Sequence, residues 1–243
     1  MSERPRLFTV RGLFEVVAIV GSILLAFAID AAWESAREDR QAEELLISLR
    51  VEFQAERAEV SRHGERWAEV RAATTRLLEA LGDDAAPAPA VADTLLQRFM
   101  TPTTFDPAQG ALQALISSGD IDLIENRELR NALTGWSSVV GELSDNEIAM
   151  REFLLMVVGP YLAEQGVSIG RLNANFIRQF GLEWPAVLPS DEETARSYDT
   201  LFRDETFESL VSTRYTWIND REYADALGYL DDLLALIDEE LDG

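Results

Sequence analysis

The stretch EVVAIVGSILLAFAIDAAWE, residues 15–34, belongs to an apolar region over residues 13–33 that has two carboxylates inside its ends, Glu15 and Asp30. Residues 13–33 match the length of about 20 residues that a helix needs to cross the hydrocarbon core of a membrane. Both carboxylates lie near the ends of this span, where headgroups and water reach them at a low energetic cost. The stretch therefore predicts a transmembrane helix over residues 13–33.

The charges on either side of the span predict its orientation. The first twelve residues carry three arginines against one acid, whereas residues 34–59 carry twice as many acids as arginines. Arginine-rich flanks stay on the cytoplasmic side of a membrane. We therefore expect residues 1–12 to lie in the cytoplasm and residues 34–243 to form an acidic domain outside it.

A cleaved signal peptide is the alternative to a retained anchor. Ala26-Phe27-Ala28 follows a basic start and an apolar region, as a cleavage site does. Against cleavage, the apolar run continues to Trp33, and a periodic pattern passes through the cleavage point without interruption.

That pattern is a heptad stripe with alternating spacings of three and four residues, which is typical of a coiled-coil helix. Beyond the span it comprises Leu46, Leu49, Phe53, Glu56, Val60, His63, Trp67, Val70, Thr74, Leu77 and Leu81. Counted backwards it reaches Ala42, Asp39, Ser35, Ala32, Ala28, Leu25, Gly21 and Ala18. The residues of the stripe inside the span are mostly small, which allows close packing of two membrane helices. The register predicts one helix over residues 13–81, with a helix-packing seam at Ala18, Gly21, Leu25, Ala28 and Ala32.

The rest of the chain also has helical patterns and no alternating strand pattern, so we predict an all-α protein with an extramembrane helical bundle. The predicted elements are a linker over 82–90, helices over 91–100, 106–117, 127–161 and 205–241, an N-cap at Asn126 and a capping box at Ser190–Glu193. Residues 166–189 are punctuated by glycine and proline and are predicted to be irregular. Phe176, Phe180 and Trp184 make this segment a candidate interaction surface, since exposed aromatic side chains are costly.

Composition excludes several classes of function. The chain has 44 acidic and 21 basic residues, a net charge of −23, which disfavours nucleic-acid binding. Every basic residue is arginine and there is no cysteine, so lysine Schiff bases and thiol nucleophiles are excluded. The single histidine, His63, lies on the heptad stripe, and Asp120-Ile-Asp122 lacks the glycine and spacing of a calcium loop. We expect no catalytic residue, cofactor or metal site.

Two blocks resemble a bacterial family of uncharacterised single-span membrane proteins. EVVAIVGSILLAFAIDAAWESAREDRQAEELLISLRVEF, residues 15–53, resembles its apolar span, its Ile-Asn/Asp-x-x-Trp membrane exit and its charged helix. ALISSGDIDLIENRELRNALTGW, residues 114–136, resembles its Ser-Ser-Gly signature followed by Ile-x-Asn-x-x-Leu-Arg. Here Phe14 replaces the glycine that usually precedes the glutamate. The resemblance implies a mainly helical protein of the bacterial inner membrane with a periplasmic domain, and it implies no reaction.

These observations favour a non-enzymatic, membrane-anchored scaffold or partner-binding subunit. Its expected partners are the membrane and either further copies of the chain or other membrane-protein subunits. Two alternatives stay open. One is a subunit of an ion- or proton-conducting complex that uses Glu15 and Asp30, because carboxylates within a membrane often serve in proton paths. The other is a sensor whose bundle binds a small ligand.

Overall fold

The computed structural model describes residues 10–83, 85–178, 180–218 and 220–242, so residues 1–9 of the predicted cytoplasmic terminus lie outside the described part. The helices are α1 Val10–Leu81, α2 Pro89–Phe99, α3 Gly110–Ser118, α4 Arg127–Phe153, α5 Gly159–Glu164, α6 Ile169–Arg178, α7 Asp191–Leu201, α8 Glu205–Trp217 and α9 Asp220–Asp242. A 3-10 turn at Asp120–Leu123 and a π turn at Leu154–Val158 complete the regular structure. The described residues contain no strand, and the all-α prediction is confirmed.

Helix α1 is continuous over its 72 residues, as the heptad register predicts, and is about 110 Å long at 1.5 Å per residue. Its outer half is the central helix of the bundle. Every stripe residue from Leu46 to Leu77 is buried, including the three polar ones, Glu56, His63 and Thr74. The half that precedes residue 42 is exposed on all sides wherever its side chains are described.

The bundle is assembled around the outer half of α1. Helix α9 packs most extensively against it, and α2 and α8 also pack on it. Helix α4 packs on α9, while α2 supports α6 and α7. Arg57 and Arg50 of α1 form ion pairs with Asp231 and Asp238 of α9, which fix the two long helices side by side.

The predicted helix caps are confirmed. Asn126 Oδ1 accepts hydrogen bonds from the backbone N–H groups of Glu128 and Leu129, at 2.9 and 3.1 Å. Ser190 and Glu193 form the reciprocal pair of a capping box. Gly119, with φ of 82°, follows the last residue of α3 in the left-handed conformation that glycine adopts without strain. The regular part of α4 ends at Phe153, and the following π turn precedes Pro160, which lies in the first turn of α5.

Three of the predicted elements differ from the structure. The helix expected from residue 106 begins at Gly110, because the Glu52 carboxylate accepts the N–H groups of Ala111 and Leu112 there. The single helix expected over 205–241 is two helices. The chain is extended at Ile218, which buries its side chain and accepts a hydrogen bond from Arg71 with its carbonyl oxygen.

The third difference lies in the segment over 166–189, which was predicted to be irregular. It contains α6, Ile169–Arg178, whose buried residues Leu172 and Ala174 explain why a helix forms there. Helix α6 packs on α2 and so belongs to the bundle.

Candidate functional site

The inner half of α1 is long and apolar enough to cross a membrane, and its side chains are exposed. The seam residues Ala18, Gly21, Leu25, Ala28 and Ala32 are all exposed. A Cβ added to Gly21 would meet nothing within 4 Å. The one hydroxyl within residues 13–33, Ser22 Oγ, donates to the carbonyl of Ile19 at 2.8 Å, so it does not need water. This face is therefore available for another helix.

The two carboxylates of the span do not come together within one chain. Glu15 and Asp30 lie on the same straight helix, about 22 Å apart along its axis. Both are exposed. A proton path would therefore need groups from other chains between them.

The first polar cluster of the bundle joins α1 and α4 at Glu56. Trp136 Nε1 donates to Glu56 Oε2, while Glu56 Oε1 is buried without a hydrogen-bond partner. Burial raises the pKa of Glu56 to about 7, against the opposing effect of the Trp136 hydrogen bond. The nearby carboxylate of Glu52 raises it further. Glu56 therefore changes its charge near neutral pH inside the bundle.

A second polar cluster is centred on Glu147 of α4. Trp67 Nε1 donates to Glu147 Oε1 at 3.2 Å, and the Tyr223 hydroxyl donates to the same oxygen. His63 Nδ1 lies 3.4 Å from this oxygen, and His63 Nε2 lies 3.2 Å from Glu59. Burial acts to raise the pKa of Glu147, but His63 and the two donors outweigh it and lower the pKa. The cluster holds a buried anion by contacts from α1 and α9.

A third buried charge is the Arg214 guanidinium of α8. One of its nitrogens donates to the carbonyl of Thr101 at 3.0 Å, while Nε and the other terminal nitrogen have no partner. Its Cζ lies 5.8 Å from the centre of the Trp67 ring and 5.6 Å from that of Phe99. No carboxylate of the described residues pairs with it, and burial lowers its pKa to about 9.

Sequence reasoning placed Glu56 and His63 on the heptad stripe but missed Glu147 and Arg214. A signal was present for both. Glu147 continues the apolar stripe of α4 between Leu143 and Met150, and Arg214 continues that of α8 after Phe207 and Val211. A charge on an otherwise apolar stripe indicates a buried partner.

An open groove of about 1040 Å³ lies between α1, α2 and α6. Phe176 and Phe180 line it and contact each other edge to face, with ring centres 5.4 Å apart. Trp184 does not line it, and packs instead against Gly170, where an added Cβ would lie 3.4 Å from the indole ring. The three aromatic residues of the predicted interaction segment are thus divided between a groove and a packing contact.

Arg171 fixes the inner wall of this groove. Its guanidinium donates to Asp93 of α2 and to Asp191 of α7, both at 2.7 Å, and to the carbonyl of Pro189 at 3.2 Å. Asp93 also accepts the hydroxyl of Tyr198. This network joins α6 to α2 and α7, and it neutralises the two acids nearest the groove.

The described residues contain no group of three or more histidine, aspartate or glutamate side chains placed to hold a metal ion. Comparison with family models, with curated proteins and with solved structures found no match for this chain.

Proposed function

We propose that this chain is a single-span membrane protein that acts as a scaffold or partner-binding subunit rather than as an enzyme. The supporting observation is the contrast within α1. One helix buries its heptad stripe in the bundle from Leu46 to Leu77 and leaves the same stripe uncovered over its apolar half. A second helix in the membrane is the occupant that such a small-residue face suits, either from another copy or from another subunit.

In this proposal the arginine-rich terminus is cytoplasmic and the acidic bundle is periplasmic, in a bacterial inner membrane. The buried polar clusters serve the bundle, because their donors are directed at partners on neighbouring helices. If the bundle is periplasmic, protease added to spheroplasts should degrade it. Protection of the bundle until the membrane is permeabilised would reverse the assigned orientation.

The seam is tested by a pair of substitutions on opposite faces of the span. Gly21→Leu should weaken association about fivefold, because the larger side chain blocks close approach of the two backbones. The fivefold effect corresponds to the free energy of a typical interaction between membrane helices, about 1 kcal/mol. Ile23→Ala, a control on the opposite face, should leave association unchanged. The measurement is the oligomer or co-purifying complex recovered in mild detergent. Equal effects of the two substitutions would rule out the seam.

Retention of the span is tested separately by the intact mass of protein purified from its native membrane. We expect a chain that still contains residues 13–33. A mature chain that begins at Ile29 would show that Ala26-Phe27-Ala28 is cleaved, and the anchor proposal would then be wrong.

A further inference from the structure

The groove between α1, α2 and α6 contains more arginine than its surroundings. Arg66, Arg98, Arg171 and Arg178 line it, against the acids Glu69, Asp93 and Asp191. The whole chain has about twice as many acids as arginines, so this is a local reversal of its charge balance. Two of the three acids, Asp93 and Asp191, are already paired with Arg171.

Three of the four guanidinium groups are free to bind an anion. Within the described part of the chain, Arg66 and Arg98 form no hydrogen bond or ion pair, and both are exposed. Among the described residues, Arg178 donates only to the side-chain oxygen of Asn175, at 3.3 Å. Guanidinium groups bind phosphate and carboxylate oxygens in pairs of parallel hydrogen bonds. Three such groups facing one groove suit a ligand with two negative charges.

One wall of the groove is apolar. Phe176 and Phe180 are 41% and 65% exposed, and Leu188 lies on the same lining. Exposed phenylalanines next to arginines can cover the apolar part of a ligand whose charged part binds the arginines. The groove volume, about 1040 Å³, matches the upper end of sites for small molecules.

The position of the groove argues for a soluble ligand rather than a lipid headgroup. Arg66 lies about 50 Å along α1 from Trp33, at the end of the apolar stretch, at 1.5 Å per residue. A headgroup in the membrane that α1 would cross therefore does not reach it.

We infer that this groove is a binding site for a small organic dianion of the phosphate-monoester class, with an aromatic or aliphatic group. Arg66, Arg98 and Arg178 bind the phosphate, and Phe176 and Phe180 contact the apolar group. Arg171 holds α6 in place and does not itself need to contact the ligand. The inference does not rest on the proposed membrane function, since every residue of the site belongs to the bundle.

The test uses the full chain in mild detergent, titrated calorimetrically with phenyl phosphate and with inorganic phosphate. We expect phenyl phosphate to bind more tightly, because only it contacts the phenylalanines. Arg98→Gln and Arg66→Gln should each weaken its binding about tenfold, the value of one charge-assisted hydrogen-bonded contact. Arg76→Gln is the matched control, since Arg76 is exposed on α1 and does not line the groove.

A second variant separates the apolar wall from the charges. Phe176→Ala should remove most of the preference for phenyl phosphate over inorganic phosphate and leave inorganic phosphate binding unchanged. Circular dichroism would establish that each variant is folded. The inference is overturned if folded wild-type protein binds neither probe at millimolar concentration, or if Arg76→Gln weakens binding as much as Arg98→Gln does.

Discussion

Glu56 and Glu147 are both buried carboxylates on the inner face of the bundle, yet their pKa values shift in opposite directions. Glu56 has one donor, Trp136, and an oxygen that no donor reaches. Glu147 also has one oxygen without a partner, but its other oxygen accepts hydrogen bonds from two donors and has His63 beside it. The number of donors around each carboxylate decides whether the cost of burying the charge is offset.

The raised pKa of Glu56 makes stability depend on pH. Its pKa is about 7 in the folded state and 4.5 in the unfolded state, so the folded state binds more protons between these pH values. The stability that this proton binding contributes is therefore lost as the pH rises from 4.5 to 7. The difference in unfolding free energy between Glu56→Gln and wild type should therefore change in favour of the variant by about 1–2 kcal/mol as the pH rises from 5.5 to 8. Thermal unfolding at both pH values measures it, with exposed Glu65→Gln as the control. A difference that shrinks as the pH rises would contradict this account.

The burial of Arg214 leads us to expect that removing its charge can increase the stability of the bundle. Its guanidinium is fully buried with one hydrogen bond, and no carboxylate among the residues that the structure describes pairs with it. Replacing an imperfectly paired buried charge with an apolar side chain of similar length is often neutral or stabilising, by about 1–4 kcal/mol. Arg214→Met should therefore raise the melting temperature, whereas Arg214→Ala should lower it by leaving a cavity. A similar loss in both variants would show that the charge itself stabilises the bundle.

At the scale of helices, contacts distant in the sequence set the ends that local patterns miss. Helix α3 begins where Glu52 of α1 accepts its first free N–H groups, at 2.6 and 2.9 Å. Glu52→Ala should lower the free energy of unfolding by about 1–2 kcal/mol and increase hydrogen exchange at the amides of Ala111 and Leu112. Glu65→Ala, at an exposed site on the same helix, should change neither. Unchanged exchange in Glu52→Ala would show that α3 does not depend on this cap.

The same distinction explains what could be predicted from the sequence. The stripe of α1 is a local pattern, so Glu56 and His63 could be placed on it from spacing alone. The caps at Asn126 and Ser190 are equally local. The polar clusters could not be assembled in this way, because Trp67 bonds to residues 80 and 156 positions away.

The division of α8 from α9 also has a non-local cause. The apolar spacing favours one helix over residues 205–241. Ile218 interrupts it because Arg71, on α1, binds its carbonyl group. Spacing within the segment contains no information about that arginine.

At the scale of the molecule, the bundle is a unit that begins near residue 42. The part of the core on α1 starts at Leu46, with half-buried Leu45 packed against it, and the described side chains before residue 42 are exposed. A fragment of residues 42–243 should therefore unfold at the temperature of the full chain, within about 2 °C. A fragment of residues 57–243 lacks Leu46, Leu49 and Phe53, and should lose several kcal/mol for each missing core side chain. Circular dichroism melts of the two fragments decide this prediction.

The exposed turns of α1 between Trp33 and Leu45 also separate the negative charge of the bundle from the predicted span. The first 33 residues contain as many arginines as acids, so the entire charge of −23 lies beyond them. These turns extend about 18 Å, roughly twice the screening length of about 8 Å at physiological ionic strength. If the span crosses a membrane as proposed, an acidic bundle held that far from an anionic bilayer would experience almost none of its repulsion, and a shorter connection would bring the two like charges within range of each other.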